Sequence, residues 1–554
     1  MTRYGFSLSR TILARTFATA FGLAAAAGTA HAGAPDLVWA EGTVQVQFED
    51  GFNGSKVHHY LDTAKGRYTL TFAGKAPRSL ARSGGRVRVT GRQTGAILAL
   101  DGSGSVTSVS PSPLPNTLGD RKVAMLLVNF TDNSTQPYTR AEADAVLSQS
   151  SGFMHEGSSQ QTLLSGNSYG WLNLPIAQTC DTTAISTYAN QAAAGAGIDL
   201  SGYQHVVYVF PRNAACMWSG QGTVGGTNNK IWINGRMELK TLTHELGHNF
   251  GLYHSHALEC DSTVLGSACV TYDYGDTVDD MGNTNAAHFN AFQKERLGWL
   301  NSGTMPPITT VSASGSYAIQ PYAAGSGVKA LKVLKSTDPV TGARTWYYLE
   351  FRQATGFDAV LGTMTGSNVT SGLVVHTGAD NDINSSFLLD LTPNSSSYSD
   401  WNDPALVLGQ SYSDDVAGVT ITPTAIGSSG ATVYVTLASG SSGSSSGSTG
   451  SSGTVTSLTV AATTDKTSYR VGQSVLVSAK VSAGSTVTSG ASVVFTIAGP
   501  DGASILLSGK TDSKGVASSS YALSRKAVKG TYQVKVQASN TTLSGSATTS
   551  FSVK

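Results

Sequence analysis

The sequence predicts a multidomain chain: a central α/β (α+β) unit flanked by all-β units, ending in an Ig-like β-sandwich. Three observations predict it. At 554 residues the chain is too long for a single hydrophobic core. Short alternating runs of Val, Thr and Ser with turn residues between them fill both flanks. Continuous apolar runs mixed with helical spacing occur between Val123 and Trp299.

Residues 1–32 are expected to be a signal peptide. Arg3, Arg10 and Arg15 supply a positive start, FATAFGLAAAAG an apolar stretch, and Ala30-His31-Ala32 a small-residue cleavage site. No later segment is long enough to span a bilayer, so secretion is expected, to the exterior or periplasm, with no integral membrane segment after cleavage. Residues 33–115 carry TVQVQF, RYTLTF and RVRVTG, an alternation typical of a small β-rich unit. PSPLPNTLGD (111–120) reads as an ordered linker, because its prolines favour extended backbone.

The central unit is assigned to residues 116–300. VAMLLVNF and HVVYVFP have the continuous apolar character of buried strands, RAEADAVLSQ has helical spacing, and IWING is a further short strand. Residues 301–438 return to β texture with WYYLEFR, GLVVHT and SFLLDL. The Ser/Gly-rich stretch 439–455 has nothing to bury and reads as a linker. Residues 456–554 contain SVLVSAKV, SVVFTI and TYQVKVQA at the spacing of an Ig-like sandwich.

Charge excludes some partners. Charged residues make up 13% of the chain and the formal net charge is +1, so nothing draws it to nucleic acid or anionic membranes. The cysteines Cys180, Cys216, Cys260 and Cys269 are even in number, which in an exported protein suggests two disulfides. Of the three possible pairings, Cys180–Cys216 and Cys260–Cys269 are favoured because near partners close more readily.

The chemistry concentrates in HELGHNFGLYH (244–254). Leu239, Leu242, Leu246 and Phe250 form one apolar stripe of a helix over Met237–Phe250. On an adjacent face His244 and His248 lie one turn apart, so their imidazoles can converge on one ion. Glu245 is rotated by roughly 100° and reaches toward a bound water instead. Gly251 can end the helix in a left-handed conformation and let His254 return as a third ligand. Three imidazoles leave one Zn2+ an open position, the mark of a catalytic site, with Glu245 as general base. A core helix with incidental histidines would not require the glycine and the third histidine at these offsets.

The pattern H-E-x-x-H-x-x-G-x-x-H is the metzincin signature. Met281, 27 residues after His254 in YGDTVDDMGN, fits the methionine turn that follows it. With NSYGWLNL and HFNAFQKERLGWL, residues 121–300 resemble the gametolysin family of zinc endopeptidases. That resemblance implies a metalloendopeptidase acting on protein or peptide substrates, with His244, His248 and His254 as ligands and Glu245 as base. Residues 33–115 could then be an inhibitory propeptide. No cysteine precedes Cys180, so they would have to block the cleft without a cysteine on the metal. Some metzincins carry a tyrosine two residues after the turn methionine; here that position is Asn283, which leaves the oxyanion stabiliser unassigned.

Other residues have open readings. Asp273, Asp276, Asp279 and Asp280 could bind Ca2+ or form a solvated turn. His256 and Glu259 read as loop residues, with His256 a minor alternative ligand, and His288 as packing beside Trp299. KIWING (230–235) is the candidate edge strand for substrate. A competing functional class is a surface adhesion or carbohydrate-binding protein with a vestigial metal site. The C-terminal sandwich is in either case a candidate for binding a surface or matrix component.

Overall fold

A computed structural model describes residues 37–554 apart from 53, 103–104, 267, 283–286, 304–305, 323–325, 396–400, 439–457, 484–485, 501–503 and 541–542. The expected signal peptide, the Ser/Gly-rich linker and Asn283 lie outside the described residues. The chain is strand-rich and multidomain, with few helices.

The N-terminal strands are β1 (Leu37–Gly51), β2 (Gly54–Thr63), β3 (Gly66–Phe72), β4 (Arg86–Thr94), β5 (Ile97–Leu100) and β6 (Val106–Ser110). The central region follows with β7 (Gly119–Asn129), α1 (Arg140–Gly157), β8 (Thr162–Asn173), α2 (Thr182–Gly195), β9 (His205–Phe210), β10 (Trp218–Thr223) and β11 (Asn229–Asn234). Then come α3 (Leu239–Asn249), β12 (Ser255–Glu259), β13 (Val270–Tyr272) and α4 (Ala291–Arg296).

The N-terminal and central strands form one sheet, in the order β6-β4-β5-β3-β2-β1-β10-β11-β9-β7-β8. The junction is the antiparallel pairing of β1 with β10, from Gln47 opposite Thr223 to Gly51 opposite Trp218. β7 shows why VAMLLVNF is continuously apolar. Val123, Met125 and Leu127 enter a core shared with Leu242, Leu246 and Met281. Leu126 and Val128, pointing the other way, enter a second core with Ile185 and Ala189 of α2.

KIWING is not an edge. β11 lies between β10 and β9, antiparallel to the first and parallel to the second, because its apolar residues are covered on both faces. The strand on the other side of β11 from β9 is β10, and β1 takes up its remaining side.

Residue 300 does not separate two sheets either. β12 pairs in parallel with Asp382–Leu389, so the sheet built by strands between 308 and 407 continues into the central region. That sheet and a four-stranded one share a core that includes Tyr347, Leu373 and Val433. Residues 458–553 form two further sheets around their own core, with Phe495, Val477 and Val536 at its centre. The disulfides are Cys180–Cys216 and Cys260–Cys269, with Cα–Cα separations of 5.5 and 4.2 Å.

Candidate metal centre and active site

α3 carries the first two histidines, and its end delivers the third. The Leu252 N–H donates to the Gly247 carbonyl (3.0 Å) and the Gly251 N–H to the His248 carbonyl (2.8 Å), closing a Schellman motif. Gly251 has φ +91°, as the expected stop requires. The chain then turns so that His244, His248 and His254 converge with their ring centroids 5.0–5.2 Å apart.

Each imidazole is oriented from behind. His244 Nδ1 donates to the Asp280 carbonyl (2.7 Å), His248 Nδ1 to the Leu252 carbonyl (2.9 Å) and His254 Nδ1 to the Asp273 carboxylate (3.2 Å). These bonds set the tautomers and leave all three Nε2 atoms facing one point. The fourth group there comes from the far N-terminal unit. Asp50 Oδ1 stands 2.7 Å from His254 Nε2 and 3.5 Å from His244 Nε2, and its Oδ2 stands 3.4 Å from His248 Nε2. Among the described residues this is the one group of three or more His, Cys, Asp or Glu donors placed within 4.8 Å of one another.

The donor set fits a divalent ion. His248 Nε2, Asp50 Oδ2 and Glu245 Oε2 are buried without a hydrogen-bond partner, a costly arrangement unless a cation or ligand satisfies them. Burial drives His244 down to about 3 and lowers His248, which keeps both imidazoles neutral, the form a metal ion requires of a ligand. At His254 burial acts the same way, but the Asp50 and Asp273 charges outweigh it and raise the group to about 9.

Glu245 lies on the same helix but is aimed at β10. A Cβ added at Gly220 would collide with its Oε1, and one at Gly222 would stand 2.8 Å from its Oε2, so these two glycines make room for the carboxyl. Burial, followed by the Asp50 charge, raises Glu245 well above the ordinary carboxyl range. Met281 is fully buried beneath α3, where a Cβ on Gly247 would strike its sulfur. It touches the helix that bears the histidines.

The remaining candidates are elsewhere. His256 bonds to the Asp273 carbonyl and to Asn384, away from the cluster. The Glu259 carboxylate accepts from the Asp261 N–H. His288 packs on Phe153 and bonds to Glu156 through Nε2. Among the described residues the acidic loop gathers no group of three or more metal donors, and three of its four aspartates, Asp276, Asp279 and Asp280, are buried and not solvated. Asp276 pairs with His376 (2.7 Å), Asp279 accepts from the Met281 and Asn290 amides, and Asp280 pairs with Lys240. Burial pushes Asp279 up to about 7 and Asp280 up to about 6. These carboxyls brace the methionine loop against the following sheet.

Sequence reasoning missed Asp50 and Tyr274. The Tyr274 hydroxyl donates to Asp50 Oδ1 (2.7 Å), and its ring lies 4.4 Å from that of His254. Asp50 belongs to no spaced motif, and its one signal was the acidic pair Glu49-Asp50 ending an alternating strand; Tyr274 opens the YGDTVDDMGN segment that carries Met281.

Residues 172–392 match the family described as gametolysin peptidase M11. The match begins later than residue 121 and takes in the β segment that follows residue 300. No curated protein matches the chain. Solved structures with some likeness include a DUF4785 family protein from Legionella pneumophila, 13% identical with a TM-score of 0.17, covering 24% of this chain and 35% of that one. Native E. coli alpha-2-macroglobulin is 11% identical with a TM-score of 0.17, covering 42% of this chain and 17% of that one. The PKD domain of the human VPS10 domain-containing receptor SorCS2 is 20% identical with a TM-score of 0.13, covering 21% of this chain and 94% of that domain. The chain thus spans about a third of the Legionella protein, and scores this low establish no common fold.

Proposed function

We propose that this chain, gametolysin-like over residues 172–392, is a secreted zinc-dependent endopeptidase built around a metzincin-type site. The carrying observation is the convergence of three buried imidazoles with a glutamate next to the first of them on one helix. His244, His248 and His254 would hold the ion. When bound, zinc supplies Lewis acidity toward the scissile carbonyl and lowers the pKa of water.

The chain's own groups perform the rest. Glu245 takes a proton from the attacking water and returns it to the nitrogen of the leaving peptide. The Tyr274 hydroxyl, protonated because burial holds its pKa above the ordinary 10, is a donor for the carbonyl oxygen as it gains charge. It fills the role that Asn283 cannot. β10 offers backbone N–H and C=O groups to an extended substrate. The two disulfides suit an extracellular protein, and no helix among the described residues is long and apolar enough to cross a membrane. The C-terminal module, read as Ig-like, is a targeting accessory in this scheme.

Glu245→Gln tests the reading. Relative to the actively cleaving wild-type form, casein cleavage should fall by about a thousand-fold or more while zinc content stays at one ion per chain. Tyr274→Phe should lower kcat by about ten- to a hundred-fold with little change in KM. Undiminished cleavage by the Glu245→Gln protein would refute the assignment.

A further inference from the structure

We propose that residues 47–51 are an internal inhibitor: β1 lies where substrate would lie along β10, and Asp50 completes the metal's ligand set. The unprocessed chain is therefore latent. This rests on the peptidase reading above and adds how that site is regulated.

Three independent features place the segment in the cleft. First, β1 takes up the side of β10 that faces away from β11, in antiparallel register over five residue pairs. An incoming peptide would need the same N–H and C=O groups, so the two cannot be bound together. Second, Phe48 and Asp50, two residues apart, share one face of the strand and point at α3. The Phe48 ring stacks on His248 at 4.3 Å with an interplanar angle of 3° and meets Tyr253 edge-on at 4.7 Å. Third, the Asp50 carboxylate lies among the three Nε2 atoms and accepts from Tyr274, so one side chain occupies both the open ligand position and the proposed oxyanion donor. Gly51 and Phe52 still line the cavity beside His244 and Glu245, with the Phe52 N–H donating to the Met217 carbonyl, while Gly51 pairs with Gly54 to start β2.

The same contacts explain how inhibition would end. While the peptide chain is continuous, Asp50 faces the site at a high effective concentration. Hydrolysis of one bond between Ser110 and Gly119, with water divided between the new carboxylate and amine, makes the inhibitor a separate fragment that dilution can remove. No cysteine precedes Cys180, so a cysteine cannot be the latency ligand here. The opposing possibility is a closed structural site in which Asp50 is a permanent ligand.

The full-length chain distinguishes them. Loaded with Co2+, unprocessed wild type and Asp50→Ala should each hold one ion. The Asp50→Ala protein should show shifted ligand-field bands, because one oxygen donor has been lost. It should also hydrolyse a quenched fluorescent peptide at least ten-fold faster than unprocessed wild type. Should Asp50→Ala fail to fold, a site-specific protease sequence placed within 111–118 serves instead. Nicking that chain, with Asp50 intact, should raise hydrolysis at least ten-fold after dilution.

Unchanged cobalt bands in Asp50→Ala, or equal activity before and after nicking, would overturn the proposal. If no form of the chain hydrolyses peptide, the peptidase reading fails, and the cobalt spectrum still decides whether Asp50 is a ligand.

Discussion

The N-terminal β unit and the C-terminal sandwich read alike in sequence, yet they relate to the central region in different ways. The first shares its core with the central region: Val44, Phe48 and Leu61 pack with Val224 and with Tyr253, the neighbour of His254 in the candidate metal centre. It also shares a sheet, since β1 pairs with β10. The second draws its core wholly from residues 458–553 and follows a Ser/Gly-rich tract. Alternating texture thus predicts the class of a β unit but not its attachment. Attachment depends on whether a strand meets an available edge in the right register.

Core truncation should expose this difference most strongly. Phe495→Ala should cost the sandwich about 3–5 kcal/mol and lower one calorimetric transition only. Leu61→Ala should cost about 2–5 kcal/mol and also speed amide exchange along β10, because β1 is held by both. If the sandwich variant altered β10 exchange, or Leu61→Ala left it unchanged, the distinction would be lost.

Acid should separate the two units next. Burial, helped by the nearby His58 charge, lowers His59 to about 4 from its ordinary 6.5. Because the folded unit prefers neutral His59, that stabilisation is complete above about pH 6.5 and is lost as pH falls toward 4. The loss reaches about 3 kcal/mol. His59→Leu should flatten this part of the pH profile in thermal unfolding. The sandwich contains no histidine, so its transition should lack this component. The smallest expected effect is deletion of 440–554, which should change peptide hydrolysis by less than about two-fold because distant, unshared sites act additively. A large loss of hydrolysis would show that the sandwich contributes to the site.

The site was legible where its chemistry is local. His244, Glu245, His248 and the Gly251 stop belong to one helix and its end, so helical geometry relates them without reference to the rest of the fold. Met281 was legible for a related reason, since one loop suffices to bring it under α3. The edge strand was misassigned because KIWING and WSGQGT are both short strands beside the helix. Period and composition do not say which of them lies inside the sheet. The acidic loop was misread for want of its partners: Asp276 is neutralised by His376, a hundred residues away, which no spacing rule connects to it.

From the sequence alone followed the β-rich multidomain class, the two disulfide pairs and the three-histidine cluster with its glutamate. Each depends on periodicity, short loop closure or the geometry of one helix. Tertiary structure decided what faces that cluster. Asp50 reaches His254 across 204 residues and Tyr274 across 224. Only the register of β1 on β10 brings them together, and a shift of one residue would turn Asp50 to the opposite face of the sheet.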